Sequence, residues 1–226
     1  MKRETALVMA TQKRTRVQYL VWGILPLATI GGWWYPVLGY FLPLCLMVGM
    51  SLAPARGRKW CDWLCPRGSA LEVVFSRFRK KGRIPAVLKN PALRVGVLLA
   101  LMAVVIIRIP KAWPDVHAMG SVFVLMLTVT TVVAVVLALF SHPRAWCAFC
   151  PGGTMANWVG RGRFPLMIQS KCTACKKCDK VCPIQVRRWE HRPVEGPAVA
   201  VPEPDCLKCG LCVAACPQGA LRLGSP

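Results

Sequence analysis

Residues 172–183 read CTACKKCDKVCP, and residues 206–217 read CLKCGLCVAACP. Both have the form C-x2-C-x2-C-x3-C-P. Three closely spaced thiols can wrap one face of a compact inorganic core through successive turns. Backbone N–H groups are then free to point at sulfur, and a more distant fourth thiol closes the site. A zinc ribbon would instead use paired C-x2-C units with four ligands in all. Two four-cysteine runs, each ended by proline (Pro183, Pro217), fit that pattern poorly. The segment between them includes RRWEHRPVEGPAVAVPEPD and reads as a proline-rich loop around a short helix.

Each run is the pattern that binds [4Fe–4S] clusters in bacterial ferredoxins, where the fourth cysteine of one run serves the other cluster. Residues 171–222 resemble the two-cluster ferredoxin domain. The resemblance implies a small α+β domain over 171–226 holding two [4Fe–4S] clusters. One would take Cys172, Cys175, Cys178 and Cys216. The other would take Cys206, Cys209, Cys212 and Cys182.

The rest of the chain is of another kind. Of 226 residues, 55% are hydrophobic and only 17% charged, against roughly a quarter charged in a soluble domain. Apolar stretches at about 17–35, 36–55, 92–110 and 117–140 are each near the ~20 residues that cross ~30 Å of hydrocarbon. The expected fold is an all-α unit of four transmembrane helices, built as two hairpins in pseudo-repeat, followed by the ferredoxin domain. The expected order is a basic tail (1–16), hairpin 1 (17–55), a loop (56–91), hairpin 2 (92–140), a connector (141–170) and the cluster domain (171–226). Pro26, Pro43, Gly31 and Gly32 argue for kinks in the first hairpin.

Basic residues set the orientation. Lys2, Arg3, Lys13, Arg14 and Arg16 precede the first span. Arg56, Arg58, Lys59, Arg67, Arg77, Arg79, Lys80, Lys81, Arg83, Lys89 and Arg94 lie between the second and third, whereas the opposite turns offer Arg108 and Lys111. Both termini and all cysteine clusters are therefore expected on the cytoplasmic side of a bacterial inner membrane, where thiols stay reduced. No small-residue cleavage site follows the first apolar run, which argues against a signal peptide. The net charge of +21 then reads as topology signal and attraction to anionic membrane lipid, with no nucleic acid as partner. Thirteen cysteines in tight clusters do not fit a small disulfide-rich secreted protein.

A second repeat lies at the membrane edge. WCDWLCPRGS (60–69) and WCAFCPGGT (146–154) share Trp, Cys, an aromatic, Cys-Pro, Gly and a hydroxyl residue, and each follows a hairpin. Parallel repeats related by an axis along the membrane normal would bring Cys61, Cys65, Cys147 and Cys150 to one depth. A third iron–sulfur cluster, a redox-active dithiol, and zinc or a structural role remain the alternatives there.

Four spans, C-x3-C-P after the second, a related motif after the fourth and a C-terminal two-cluster domain resemble the NapH-type membrane ferredoxins. These are quinol dehydrogenase subunits associated with periplasmic nitrate reductases, with relatives among nitrous-oxide reductase regulators and oxidase-assembly ferredoxins. The second motif departs from the pattern, being CAFC rather than C-x3-C. No flavin domain stands ahead of the first span, and ten residues follow Cys216, so a minimal member is expected. The resemblance implies an electron-transfer subunit between quinone and a partner oxidoreductase. The alternative is a metal-reducing assembly or regulatory protein.

No haem is expected. His117 and His142 stand at opposite ends of the fourth span, roughly 37 Å apart at ~1.5 Å per residue. Without cofactors in the bilayer, quinol should react near the cytoplasmic motifs. Asp62 and Glu72 are the acids there that could accept its proton. Trp33, Trp34, Tyr35 and Trp113 read as an outer aromatic belt, or as walls of a quinone pocket near Arg108, Asp115 and His117. Cys45 reads as a packed small hydrophobe, and residues 69–83 as an amphipathic surface helix. For the topology, a reporter enzyme active only outside the cell, fused after Pro226, should be silent. Strong external activity would reverse the orientation.

Overall fold

The computed structural model describes residues 2–75, 82–203 and 205–224, with side chains from residue 5 onward. Among them, three helices are long and apolar enough to cross a membrane. The first is a 3-10 turn at Pro36–Tyr40 continuing into α3 (Phe41–Arg56); the others are α6 (Pro91–Ala112) and α7 (Val116–Phe140). They span 21, 22 and 25 residues with mean hydropathies of 1.8, 2.4 and 2.8. At ~1.5 Å per residue each covers the hydrocarbon layer.

Local chemistry sets their ends. Asn90 caps α6 by accepting from Ala92 N at 2.9 Å, with Pro91 as the first helical residue, where its missing N–H costs nothing. Asp115 caps α7 by accepting from His117 N at 2.8 Å. Only residues 113–115 separate α6 from α7, so they pack as an antiparallel hairpin. Their outer faces leave Leu99, Ile106, Ile107, Val129 and Val132 exposed. So large an apolar surface belongs against lipid.

The expected first span over 17–35 is not one helix. Helix α1 runs Lys2–Val21, the chain turns at Trp22–Gly23, and α2 covers only Ile24–Gly31. Pro26 lacks the N–H that a continuous helix would donate to Trp22, and Gly23 adds freedom at the break. The expected basic tail is thus helical from Lys2, and α1 packs against α5 (Pro66–Phe75) and α10 (Leu211–Ala215). At the start of the Pro36–Arg56 helix, a methyl on Gly39 would strike the Gly120 carbonyl, and one on Gly120 would strike that of Pro36. Small residues here let two backbones touch.

Two short helices follow the spans. Helix α4 (Lys59–Trp63) leads into α5, and α8 (Pro151–Val159) follows a 3-10 turn at Trp146–Ala148. The expected surface helix over 69–83 begins instead as a buried one, with Ser69 and Leu71 at 0% and 1% exposure. Residues 76–81 of that stretch lie outside the described residues.

The C-terminal unit has an antiparallel sheet of order β2-β1-β3: β1 Leu166–Ile168, β2 Val199–Ala200, β3 Leu221–Leu223. Met167 pairs with Ala200 and Arg222, Ile168 with Val199 and Leu221. The two cysteine runs turn alike. Ala174 (φ 53) and Lys208 (φ 54) precede the second cysteine of each run, and Lys176 (φ 57) and Gly210 (φ 84) follow it, all left-handed. Lys176 and Gly210 then open α9 (Lys177–Lys180) and α10. Only Gly210 suits that conformation without cost; the other three hold it at about 1–3 kcal/mol each.

Candidate metal centres

Cys172, Cys175, Cys178 and Cys216 line one cavity, walled by Ile168, Lys176, Trp189 and Leu221. Cys216 Sγ accepts from Ala220 N at 3.3 Å. Burial pushes the Cys178 thiol up to about 12, helped by Asp179. Cys206 and Cys212 are buried in one core with Cys178 and Cys216, and Cys182 is buried in a second with Ile184 and Leu207. Arg188, 2% exposed, points its guanidinium among them and donates to Cys182 Sγ at 3.0 Å. Val186 N reaches the same sulfur at 3.4 Å. Burial raises Cys212 to about 11 against the pull of Arg188. Burial likewise raises Cys209, with Asp62 next in effect.

The membrane-edge motifs fold as mirror copies of one design. Cys65 N donates to Trp60 O and Cys150 N to Trp146 O, both at 3.0 Å. Pro66 then opens α5 and Pro151 opens α8, and Ser69 N and Thr154 N return to Cys65 O and Cys150 O, both at 2.9 Å. An arginine stands three residues before each first cysteine, and the two cross. Arg58 Nη2 donates to Cys147 O at 2.7 Å, and Arg144 Nη1 donates to Cys61 O at 3.0 Å. Each guanidinium lies over a glycine of the opposite motif. A methyl on Gly153 would strike Arg58, and one on Gly68 would strike Arg144.

Cys61, Cys65, Cys147 and Cys150 line a single cavity of about 110 Å³ together with Arg58, Arg67, Trp60 and Trp146. One water needs ~10–15 Å³ on this measure, so the space suits a multi-atom group. Among the described residues, no three or more His, Cys, Asp or Glu side chains are set to hold one metal ion. The four thiols surround a volume. Arg67 lies 5.4 Å over the Trp146 ring, and its buried Nη2 has no hydrogen-bond partner among the described residues. Burial lowers its pKa, while Cys150, Cys65 and Cys147 favour its charge. Burial also pushes Cys61 up to about 12 and Cys147 up to about 11, against Arg58 and Arg144 respectively. Buried cations without enough acid, facing four thiols, are a fit for a group of thiolates carrying net negative charge.

The acids of this region are already engaged. Arg14 Nε and Nη2 grip Asp62 at 2.8 Å each, and Arg14 and Arg144 both bind Glu72. Burial alone would raise the Glu72 pKa, but Arg144 and Arg14 outweigh it and hold the carboxyl far below the usual range. Glu72, which the sequence offered as a proton acceptor, is thus held by two arginines, and Asp62 is fully buried in the same ion network. Arg58 and Arg94 converge on Asp205, beside Cys206. Arg14, Arg58, Arg94 and Arg144 are thus structural cations, although the first three count as topology signal in the sequence. The matching R-x-x-C offset in both motifs is the signal that would have found Arg58 and Arg144. Arg108, Asp115 and His117 are exposed, with Asp115 used as the α7 cap. Cys45 lines the four-cysteine cavity.

Two outcomes follow. Ser at Cys216 should damage the same spectroscopic signal as Ser at Cys172, because both side chains line one cavity; a match to Cys206→Ser instead would pair the runs differently. Glu72→Gln should lower unfolding stability by about 3–5 kcal/mol, the cost of leaving buried charges unpaired. A carboxylate with a depressed folded pKa stabilises above its ordinary pKa of ~4.3 and loses that contribution as pH falls toward the folded value. The wild-type margin over Glu72→Gln in thermal unfolding should therefore be full at neutral pH and shrink below about pH 4.

Residues 171–220 match the model of the 4Fe-4S dicluster domain, and residues 38–85 and 122–168 each match that of the 4Fe-4S binding domain. The latter two matches cover the two membrane-edge motifs. Two uncharacterized proteins of Methanocaldococcus jannaschii are similar to the chain. One is 26% identical over 186 residues, covering 79% of this chain and 69% of its own length. The other is 26% identical over 189 residues, covering 78% and 76%. No solved structure matches. The cysteine runs, the cavities they line and these matches lead to one conclusion: the chain is an iron–sulfur protein with ferredoxin-type 4Fe-4S binding domains, built for electron transfer.

Proposed function

We propose that this protein exchanges electrons between the quinone pool and a partner oxidoreductase through three [4Fe–4S] centres at the inner face of a bacterial cytoplasmic membrane. The observation that carries this reading is the crossed pair Arg58–Cys147 and Arg144–Cys61, which ties the two motifs around one thiol-lined cavity. Cys61, Cys65, Cys147 and Cys150 would hold the membrane-edge centre. Cys206, Cys209, Cys212 and Cys182 would hold the next, and Cys172, Cys175, Cys178 and Cys216 the last. The end of α1 with α2 would complete a fourth crossing beside the three long helices. Trp33, Trp34, Tyr35 and Trp113, all exposed, would form the outer aromatic belt.

The clusters, when bound, supply one-electron storage and transfer; the chain supplies place and potential. Arg58, Arg67 and Arg144 favour thiolate over thiol and offset the charge of four sulfurs in a dry site. Trp60 and Trp146 exclude water from it, and burial with hydrogen bonding to sulfur sets cluster potentials. On the membrane side the cavity wall is Leu25, Phe41, Leu42, Leu46 and Leu127. That apolar wall suits a quinone ring arriving from the bilayer.

Anaerobically purified protein should carry about twelve irons, and Ser at Cys61, Cys65, Cys147 or Cys150 should each remove about four while sparing the ferredoxin signals. A menaquinol analogue should reduce the wild type and not these variants. Eight irons in a well-loaded wild type would remove the third centre. Reduction of copper without any reaction with quinol would favour the metal-reducing alternative.

A further inference from the structure

We propose that electrons leave or enter the chain at the Cys175 end of the ferredoxin unit, through a lysine face that docks an acidic one-electron redox protein. The proposal rests on the cluster assignment above and adds the order of the relay and the chemistry of the partner.

The order follows from packing. Cys147 of the membrane-edge motif shares one buried cluster with Cys182, Ile184 and Leu207, and Cys61 packs against its rim. The membrane-edge site therefore abuts the Cys182/Cys206/Cys209/Cys212 set. That set in turn shares a core with the other, since Cys206 and Cys212 pack with Cys178 and Cys216. The Cys182/Cys206/Cys209/Cys212 set thus packs against both of the others, and tunnelling, which falls steeply with distance, would pass through it.

In the set beyond it Cys175 is exposed, unlike the buried Cys178 and Cys216. Around it stand Lys171, Lys176 and Lys177, all exposed. Lys176 Nζ lies 4.6 Å over Trp189, and both side chains wall the cavity that holds Cys175. The nearby acids are already engaged: Asp179 accepts from Trp189 Nε1 at 2.8 Å, and Glu190 pairs with Arg187 at 3.3 Å. A positive face around the exposed end of a redox site steers an acidic partner and orients it for transfer. Anionic lipid is the other chemistry lysines attract, and the lipid arm of the test tells the two apart.

The test uses full-length, cluster-loaded protein in zwitterionic nanodiscs, reduced with dithionite so that it does not depend on quinol. Ferricyanide and hexaamminecobalt(III) serve as anionic and cationic oxidants. In the ferricyanide reaction one electron leaves the protein and ferricyanide becomes ferrocyanide; no bond forms or breaks and no proton moves. At low ionic strength, Lys171→Glu/Lys176→Glu/Lys177→Glu should slow ferricyanide about tenfold and speed the cobalt complex. The same charge change at Lys13, Arg161 and Arg163 should do much less. Cys172→Ser should slow both oxidants. Redox-inert hexacyanochromate(III) should broaden the NMR signals of isotopically methylated Lys171, Lys176 and Lys177 ahead of other lysines, with or without clusters. Equal effects of the two triple variants, an unchanged rate in Cys172→Ser, or uniform lysine broadening would each overturn the exit face. So would loss of the triple-variant effect when anionic lipid replaces zwitterionic, for the lysines would then face the bilayer. Failure of quinol to reduce the protein, with these results intact, would sink the quinone reading and leave the exit face standing.

Discussion

Everything at the membrane edge depends on two buried guanidiniums that cross. A buried charge costs far more than a buried thiol unless it is paired and hydrogen-bonded. Arg58 and Arg144 meet that demand by reaching for a carbonyl of the opposite motif and for an acid beyond it: Asp205 for one, Glu72 and Asp62 for the other. Neither motif can be completed alone. The glycines at 68 and 153 are part of the same constraint, because the guanidinium occupies the space of a side chain.

The same acids carry the connection outward. Asp205 immediately precedes Cys206 and binds Arg94 at 2.6 Å as well as Arg58, so α6 and the second cysteine run share one carboxylate. Glu72 and Asp62 bind Arg14 of α1, which also lies against α10 of the ferredoxin unit. The ion network is thus a set of joints between membrane helices, motif helices and cluster domain. Such networks are weak contributors to stability when exposed and costly to break when buried. Here they are buried, and they tie the cysteine sets to the helices around them.

The chain also spreads the demands on its thiols. Burial raises the pKa of Cys61, Cys147, Cys178 and Cys212 alike, and in three of the four an arginine is the main force opposing it: Arg58, Arg144 and Arg188. For Cys178 the neighbour next in effect is Asp179, which adds to the rise, with Arg188 opposing both. A dry site suits electron transfer, and a cation beside it makes the thiolates that a metal group needs affordable.

How much of this could be read from the sequence differs by element. Spacing alone picked out the eight cysteines at 172–216 and the repeat at 60–69 and 146–154, because cluster binding by turns is a local property of a short run. Length and apolarity likewise gave spans at about 36–55, 92–110 and 117–140, where the helices run Pro36–Arg56, Pro91–Ala112 and Val116–Phe140. In the stretch 17–35 Pro26 signalled a kink, but composition did not reveal a full break at Trp22–Gly23 or a helix running back to Lys2. Arg58, Arg67 and Arg94 look like topology charges in a sequence, and Asp62 and Glu72 like free acids. Only the tertiary structure decides that Arg58 and Arg94 pair with Asp205, that Arg14 and Arg144 hold Asp62 and Glu72, and that Arg67 is buried over Trp146, because burial and pairing depend on residues some fifty to a hundred and fifty positions away. Which cysteines adjoin across the chain belongs to the same class. It is a matter of which sulfur packs beside which, and that is fixed by how the ferredoxin unit docks on the membrane-edge motifs.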